Sequence, residues 1–210
     1  PLFACWMLGY FAFNAASFWL KAALARRPSF VKPVVVYASV TGLAGIVTLL
    51  TVGWPIIGWV PVFAVLLTPA LVLAAQRRER ATLGGALTTL AASVMTIVAR
   101  YPDPTALFVW TSQVRQTAVT AALVFAYFFG TVLYVKTNIR ERNSRAFYVA
   151  SVGWHAIATI AGALTDWRWG VLFGVATIRA IVVPRLHLTP KQIGLAEVAL
   201  CVAILAIVWA

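Results

Sequence analysis

Long apolar stretches, separated by short polar gaps, follow one another along the whole chain. They cover Leu2–Leu20, Pro33–Val52, Pro55–Ala75, Thr82–Ala99, Ala118–Val135, Phe147–Leu164, Trp169–Val183 and Ile193–Trp209. About 20 such residues carry a helix across the hydrocarbon core of a bilayer. There every backbone N–H and C=O must be satisfied internally, which leaves helices and closed barrels. The period-2 alternation of a barrel strand is absent, so the pattern predicts helices. The fold class that follows is all-α, a polytopic transmembrane bundle of eight visible spans forming a single domain over residues 1–210. Pro61 and Pro69 fall inside the third span, where membrane helices tolerate them better than soluble ones do.

Composition agrees with this reading. Hydrophobic residues make up 62% of the chain and charged residues 10%, against about a quarter charged in soluble domains. A net charge of +12 would ordinarily suggest a nucleic-acid partner. Its placement argues against one, because the basic residues gather in alternate gaps between spans. Lys21, Arg26, Arg27 and Lys32 follow the first span, and Arg77, Arg78 and Arg80 the third. Lys136, Arg140, Arg142 and Arg145 follow the fifth, and Arg185 and Lys191 separate the last two. The intervening gaps hold far less. The positive-inside rule therefore puts loops 21–32, 77–80, 136–145 and 185–191 on the cytoplasmic side. The first visible helix then runs inward, and the topology predicts one more helix upstream, nine in the full-length chain. Leu2–Leu20 does not read as a cleaved signal, because its positive charge follows the apolar run instead of preceding it.

A few polar residues stand out against this background. Asn14, Ser17 and Lys21 share one face of the first helix. They form either a polar stripe toward the cytoplasmic mouth or simple interhelical contacts with a snorkelling lysine. In the fifth gap Lys136, Arg140, Arg142 and Arg145 are interleaved with Asn138, Glu141 and Asn143. Topology needs only the charge, so the interleaved polar residues make this turn the leading candidate for an anion or lipid-headgroup site. Arg179 and Glu197 lie at similar depth in the last two spans and are expected to pair, as intramembrane ions usually do. His155 sits near the middle of its span without a second His or an acid on its helix. Cys5 and Cys201 read as small buried hydrophobes, and no metal site is indicated. Most tryptophans fall near outer span ends as an aromatic belt, and Thr105–Gln116 reads as a segment lying on the outer surface. No phosphate-binding glycine loop, hydrolase elbow or HExxH motif occurs.

Four segments carry a resemblance: GYFAFNAASFWLKAALARR at Gly9–Arg27, QRRER at Gln76–Arg80, VLYVKTNIRERNSRAFYVA at Val132–Ala150 and RLHLTPKQIGLAE at Arg185–Glu197. With them the chain resembles the YwiC-like family of bacterial integral membrane proteins, which implies a bacterial inner membrane. Members of that family typically begin with a Pro-Lys or Pro-Gln-His-Gly-Ala-Trp segment ahead of another helix, and this chain lacks it. A more distant likeness in layout is to the UbiA-type intramembrane prenyltransferases. Their two Asp-rich motifs hold Mg²⁺ against an isoprenyl diphosphate. Here Asn14 is followed by Ala15, Ala16 and Ser17, Lys21 stands where a late acid would be, and in the loop that follows Lys136 only Glu141 is acidic. Mg²⁺ at phosphate sites is held by carboxylates plus substrate oxygens, so Mg-dependent prenyl transfer is not expected, and no cofactor is expected either.

The reading that follows is a membrane protein that binds an anionic lipid or isoprenoid phosphate at a basic cytoplasmic mouth, using Asn14, Lys21, Lys136, Asn138, Arg140, Arg142 and Arg145. The partners are then membrane lipids, with no nucleic acid. The alternatives are a small proton-coupled transporter lined by Arg179, Glu197 and His155, and a non-catalytic subunit of a membrane complex.

Overall fold

The computed structural model describes residues 1–78, 81–186 and 188–209, so Arg80 of the 77–80 loop and His187 of the last basic turn lie outside the described residues. Eight α-helices account for the regular structure described: α1 (Leu2–Lys21), α2 (Arg27–Val52), α3 (Val60–Ala75), α4 (Thr82–Arg100), α5 (Ser112–Ile139), α6 (Arg145–Thr165), α7 (Trp167–Leu186) and α8 (Pro190–Trp209). Short 3-10 turns at Leu24–Arg26, Trp54–Trp59 and Pro104–Phe108 join some of them. Among the described residues, eight helices are long and apolar enough to cross a membrane. The all-α polytopic reading therefore holds, and the protein is a multi-pass membrane protein.

Several helix ends differ from the sequence expectation. α2 begins at Arg27 rather than Pro33, with Pro28 in its first turn and Pro33 inside it. A proline early in a helix removes an N–H that has no intrahelical partner in any case. α5 begins at Ser112 and so takes in Gln113, Arg115 and Gln116. The expected outer-surface segment is thus divided between a 3-10 turn and the first turns of α5. At its other end α5 runs to Ile139, which places Lys136 and Asn138 in the helix. Arg145 is the first residue of α6, not a loop residue. α7 continues through Pro184 to Leu186. Cys5 and Cys201 are only partly buried.

The chain divides into two compact units, Pro1–Thr117 and Ala118–Ala210. In the first, α1 packs on α2 and α3, and α3 on α4. Gly53 (φ 105°) and the Trp54–Trp59 turn connect α2 to α3, and the Trp59 indole donates to the Tyr101 carbonyl at 3.0 Å. Ile46, Leu50 and Val65 stay exposed, as lipid-facing side chains do.

In the second unit α5 and α7 are the most enclosed spans, with 33% of each apolar window buried against 6% for α1 and for α2. α6 and α7 lie so close that a Cβ on Gly162 would meet Phe173 at 2.8 Å, and one on Gly170 would meet Ala163 at 2.9 Å. Small residues at such a seam let helix backbones approach in lipid, where packing rather than water exclusion drives association. Leu123, Tyr127, Ala158, Phe173 and Ile204 form one apolar cluster, and Tyr134, Ala180 and Ile193 another.

Candidate functional site

Two places within Ala118–Ala210 bring candidate residues together, and one place within Pro1–Thr117 does. In the first unit α1 ends at Lys21, where the Ala22 N–H bonds the Phe18 and Trp19 carbonyls and leaves those of Leu20 and Lys21 to other donors. Neighbouring arginines supply donors: Arg27 Nη2 donates to the Leu20 carbonyl at 3.3 Å and Arg77 Nε to the Lys21 carbonyl at 3.2 Å. The Lys21 ammonium rests 4.2 Å from the Phe18 ring centre. The amide of Asn14 donates to the Tyr10 carbonyl and the Ser17 hydroxyl to the Phe13 carbonyl, each at 2.8 Å. Asn14 and Ser17 thus serve their own helix.

A small cavity of about 110 Å³, lined in part by Ser17, Ala74, Gly84 and Thr88, lies toward this basic end. A larger one, about 450 Å³ and apolar, is lined in part by Leu2, Trp6, Leu49, Val60 and Val98. Those residues stand at the opposite ends of the same helices. The roomy apolar space of this unit is therefore not under Lys21.

The turn from α5 to α6 is built largely by its own polar groups. Asn138 is 2% exposed, and its amide donates to the Tyr134 carbonyl at 2.8 Å. Arg142 Nε donates to the Asn138 carbonyl at 3.1 Å, and its Nη2 to the Leu188 carbonyl at 3.4 Å. That guanidinium caps α5 and ties its end to the turn before α8. The Thr137 hydroxyl donates to the Leu133 and Phe147 carbonyls. The Ser144 hydroxyl caps α6 by accepting the Phe147 N–H. Lys136 lies 5.6 Å from the Phe147 ring centre. Arg140 and Arg145 are exposed, and their side chains make no hydrogen bond among the described residues.

Deeper in the same unit α7 and α8 bring Arg179 and Glu197 together, Arg179 Nη1 donating to Glu197 Oε1. The second carboxylate oxygen accepts the Thr131 hydroxyl at 3.0 Å and the Tyr127 hydroxyl at 3.5 Å. The Arg179 guanidinium carbon lies 4.0 Å from the Tyr134 ring centre, a cation–π contact. His155 is 1% exposed, and its Nδ1 lies 2.7 Å from the Ser151 carbonyl. That geometry assigns the proton to Nδ1. Thr159 and Thr177 link α6 to α7 at 2.9 Å. Along their helices Thr131, His155, Arg179 and Glu197 fall between the two apolar clusters, so they form a polar layer.

Arg179, Glu197 and His155 stand out as polar residues in the sequence, whereas Tyr127, Thr131, Tyr134 and Ser151 do not. The first three of those share one face of α5 at intervals of four and three residues, and that spacing was the available signal. Among the described residues, no group of three or more His, Cys, Asp or Glu is arranged to hold a metal ion.

Comparison with known proteins adds a likeness to one family over part of the chain and no activity. No solved structure matches the chain. An uncharacterized protein of Haemophilus influenzae is 32% identical over 75 residues, which is 35% of this chain and 32% of that protein. The chain thus spans about a third of the length of that relative. The resemblance drawn from the sequence is borne out over the N-terminal stretch, for residues 1–100 match the model of the YwiC-like protein family.

Proposed function

We propose that this multi-pass membrane protein binds phosphate-bearing headgroups, of an anionic lipid or an isoprenoid phosphate, at the turn between α5 and α6. The turn would face the cytoplasm of a bacterial cell. The observation that carries this reading is the division of labour within the turn. Asn138, Thr137, Ser144 and Arg142 spend their hydrogen bonds on its shape. Arg140 and Arg145 are left exposed, with no acceptor for their side chains among the described residues. Guanidinium forks match phosphate oxygens bidentately. Each basic residue near an anionic surface contributes about 1 kcal/mol, so Arg140, Arg142 and Arg145 together favour an anionic headgroup by roughly 3 kcal/mol, about a hundredfold.

Native mass spectrometry with lipid extraction, on gently solubilised parent and an Arg140→Ala/Arg145→Ala variant, tests it. A discrete anionic species held by the parent and lost from the variant supports the site, and its extracted tail tells a lipid from an isoprenoid. Equal retention by both proteins overturns it. A second reading, a small proton-coupled transporter, draws on the buried polar layer around Arg179 and Glu197. Gradient-driven proton uptake by proteoliposomes, abolished in Glu197→Gln, would support that reading, and unchanged uptake in the variant would remove it.

A further inference from the structure

The polar layer of residues 118–210 contains more hydrogen-bonding capacity than a lock between α7 and α8 requires. A guanidinium offers five N–H donors in a rigid plane. Arg179 uses Nη1 on Glu197, and Tyr134 lies against it. Its Nε and Nη2 are buried and meet no acceptor among the described residues, and the residue is only 8% exposed. Those two atoms form one edge of the guanidinium, the edge that grips two oxygens of a carboxylate or phosphate side by side.

Other groups of the layer share this condition. His155 Nε2, the Tyr134 hydroxyl and the Ser151 hydroxyl are likewise buried without a partner among the described residues. Glu197 cannot serve the open edge as it stands, because its second oxygen is taken by Thr131 and Tyr127. Space around His155 is closely apportioned: a Cβ on Gly130 would come within 2.9 Å of Nε2. Leaving charged donors unmatched in an apolar interior is expensive, and intramembrane ionisable groups mark functional sites more often than plain packing.

We infer that the Nε/Nη2 edge of Arg179 is the seat of one small oxyanion, a carboxylate or phosphate group, and that it binds together with one proton. The charge arithmetic requires the proton. Arg179 and Glu197 are neutral as a pair, and the other ionisable groups within electrostatic reach are Tyr127 and Tyr134 on α5, His155 on α6 and Cys201 on α8. A bound monoanion adds one negative charge to a low-dielectric layer. One proton taken from solvent onto the Glu197 carboxylate cancels it. Arg179 then pairs with the ligand, while the neutral Glu197 acid keeps its contacts with Thr131 and Tyr127. The site lies about 10 Å along α7 from Leu186, nearer the basic end of the unit than the Trp167 end. The inference is independent of the headgroup reading, and an equilibrium binding site without transport satisfies it.

The test is calorimetry on the full chain in nanodiscs, titrated separately with acetate, inorganic phosphate and chloride. Each titration is run in two buffers of different ionisation heat, so that proton uptake is counted. The parent should bind acetate or phosphate at one site with uptake of about one proton. Glu197→Gln mimics the protonated acid, so it should bind at least as tightly with no proton uptake. Arg179→Lys keeps the charge but loses the fork, and should weaken binding roughly tenfold or more. Arg140→Ala/Arg145→Ala should bind as the parent does, which separates failure of this inference from failure of the headgroup reading. Absence of oxyanion binding by folded parent overturns the inference, as does undiminished proton uptake in Glu197→Gln. Chloride binding as well as the oxyanions overturns the fork. If Arg179→Lys does not fold, the Glu197→Gln comparison still decides.

Discussion

Arg179 and Glu197 are joined by an ion pair whose surroundings were not legible in the sequence. Pairing was foreseeable from depth alone, because two intramembrane ions on consecutive spans lower each other's cost. The surroundings were not, since Tyr127, Thr131, Tyr134 and Ser151 look like ordinary span residues until α5 and α6 are folded against α7. Removing one partner of a buried pair leaves the other charge uncompensated. Glu197→Ala should therefore destabilise the protein by about 3 kcal/mol or more, and Arg179→Ala/Glu197→Ala by clearly less than the sum of the two single changes. Thermal unfolding in one detergent, run as a double-mutant cycle, measures this, and additive losses would show that the contact carries no coupling.

At the scale of elements, helix ends account for much of what the basic residues do. α3 closes with Arg77 in the left-handed region (φ 58°), its N–H bonded to the Ala74 carbonyl and that of Arg78 to the Leu73 carbonyl. This is the glycine-type helix stop, occupied here by an arginine. The strain is accepted where the side chain can reach the Lys21 carbonyl. Both Arg77→Ala and Arg77→Gly lose that bond, but only glycine is at ease at this φ. Arg77→Gly should therefore be more stable than Arg77→Ala by about 1 kcal/mol, as melting of the purified variants would report. Equal melting would mean that the turn relaxes. Arg27 and Arg142 likewise cap carbonyls of neighbouring turns. The sequence assigned Arg27 and Arg77 to topology and Arg142 to a headgroup site, because charge count is visible in a string and the carbonyl each arginine reaches is not. Asn138 is a parallel case. In the string it stands two residues after Lys136 in a polar run, yet the continuation of α5 to Ile139 turns its amide inward.

For the whole molecule, the alternation of basic and weakly charged gaps makes a prediction about sidedness. Single cysteines placed at Arg78 and Arg142, in a chain with Cys5 and Cys201 replaced, should react with an impermeant maleimide only from the cytoplasmic face. Cysteines at Asp103 and Asp166 should react only from the other. Labelling of all four from one face would invalidate the topology and with it the cytoplasmic placement of the α5–α6 turn.

The sequence by itself determined the solvent, the helical class and the number of visible spans. Lipid offers the backbone no hydrogen bonds, so the length of each apolar run nearly dictates its element. Tertiary structure alone decided which polar residues are spent on caps and which keep free donors. It put the large apolar cavity of residues 1–117 at the helix ends away from Lys21, and it gathered the polar layer around Arg179. Those outcomes depend on which faces of separate helices meet, and in a chain whose spans are apolar all round, hydrophobicity does not encode that choice.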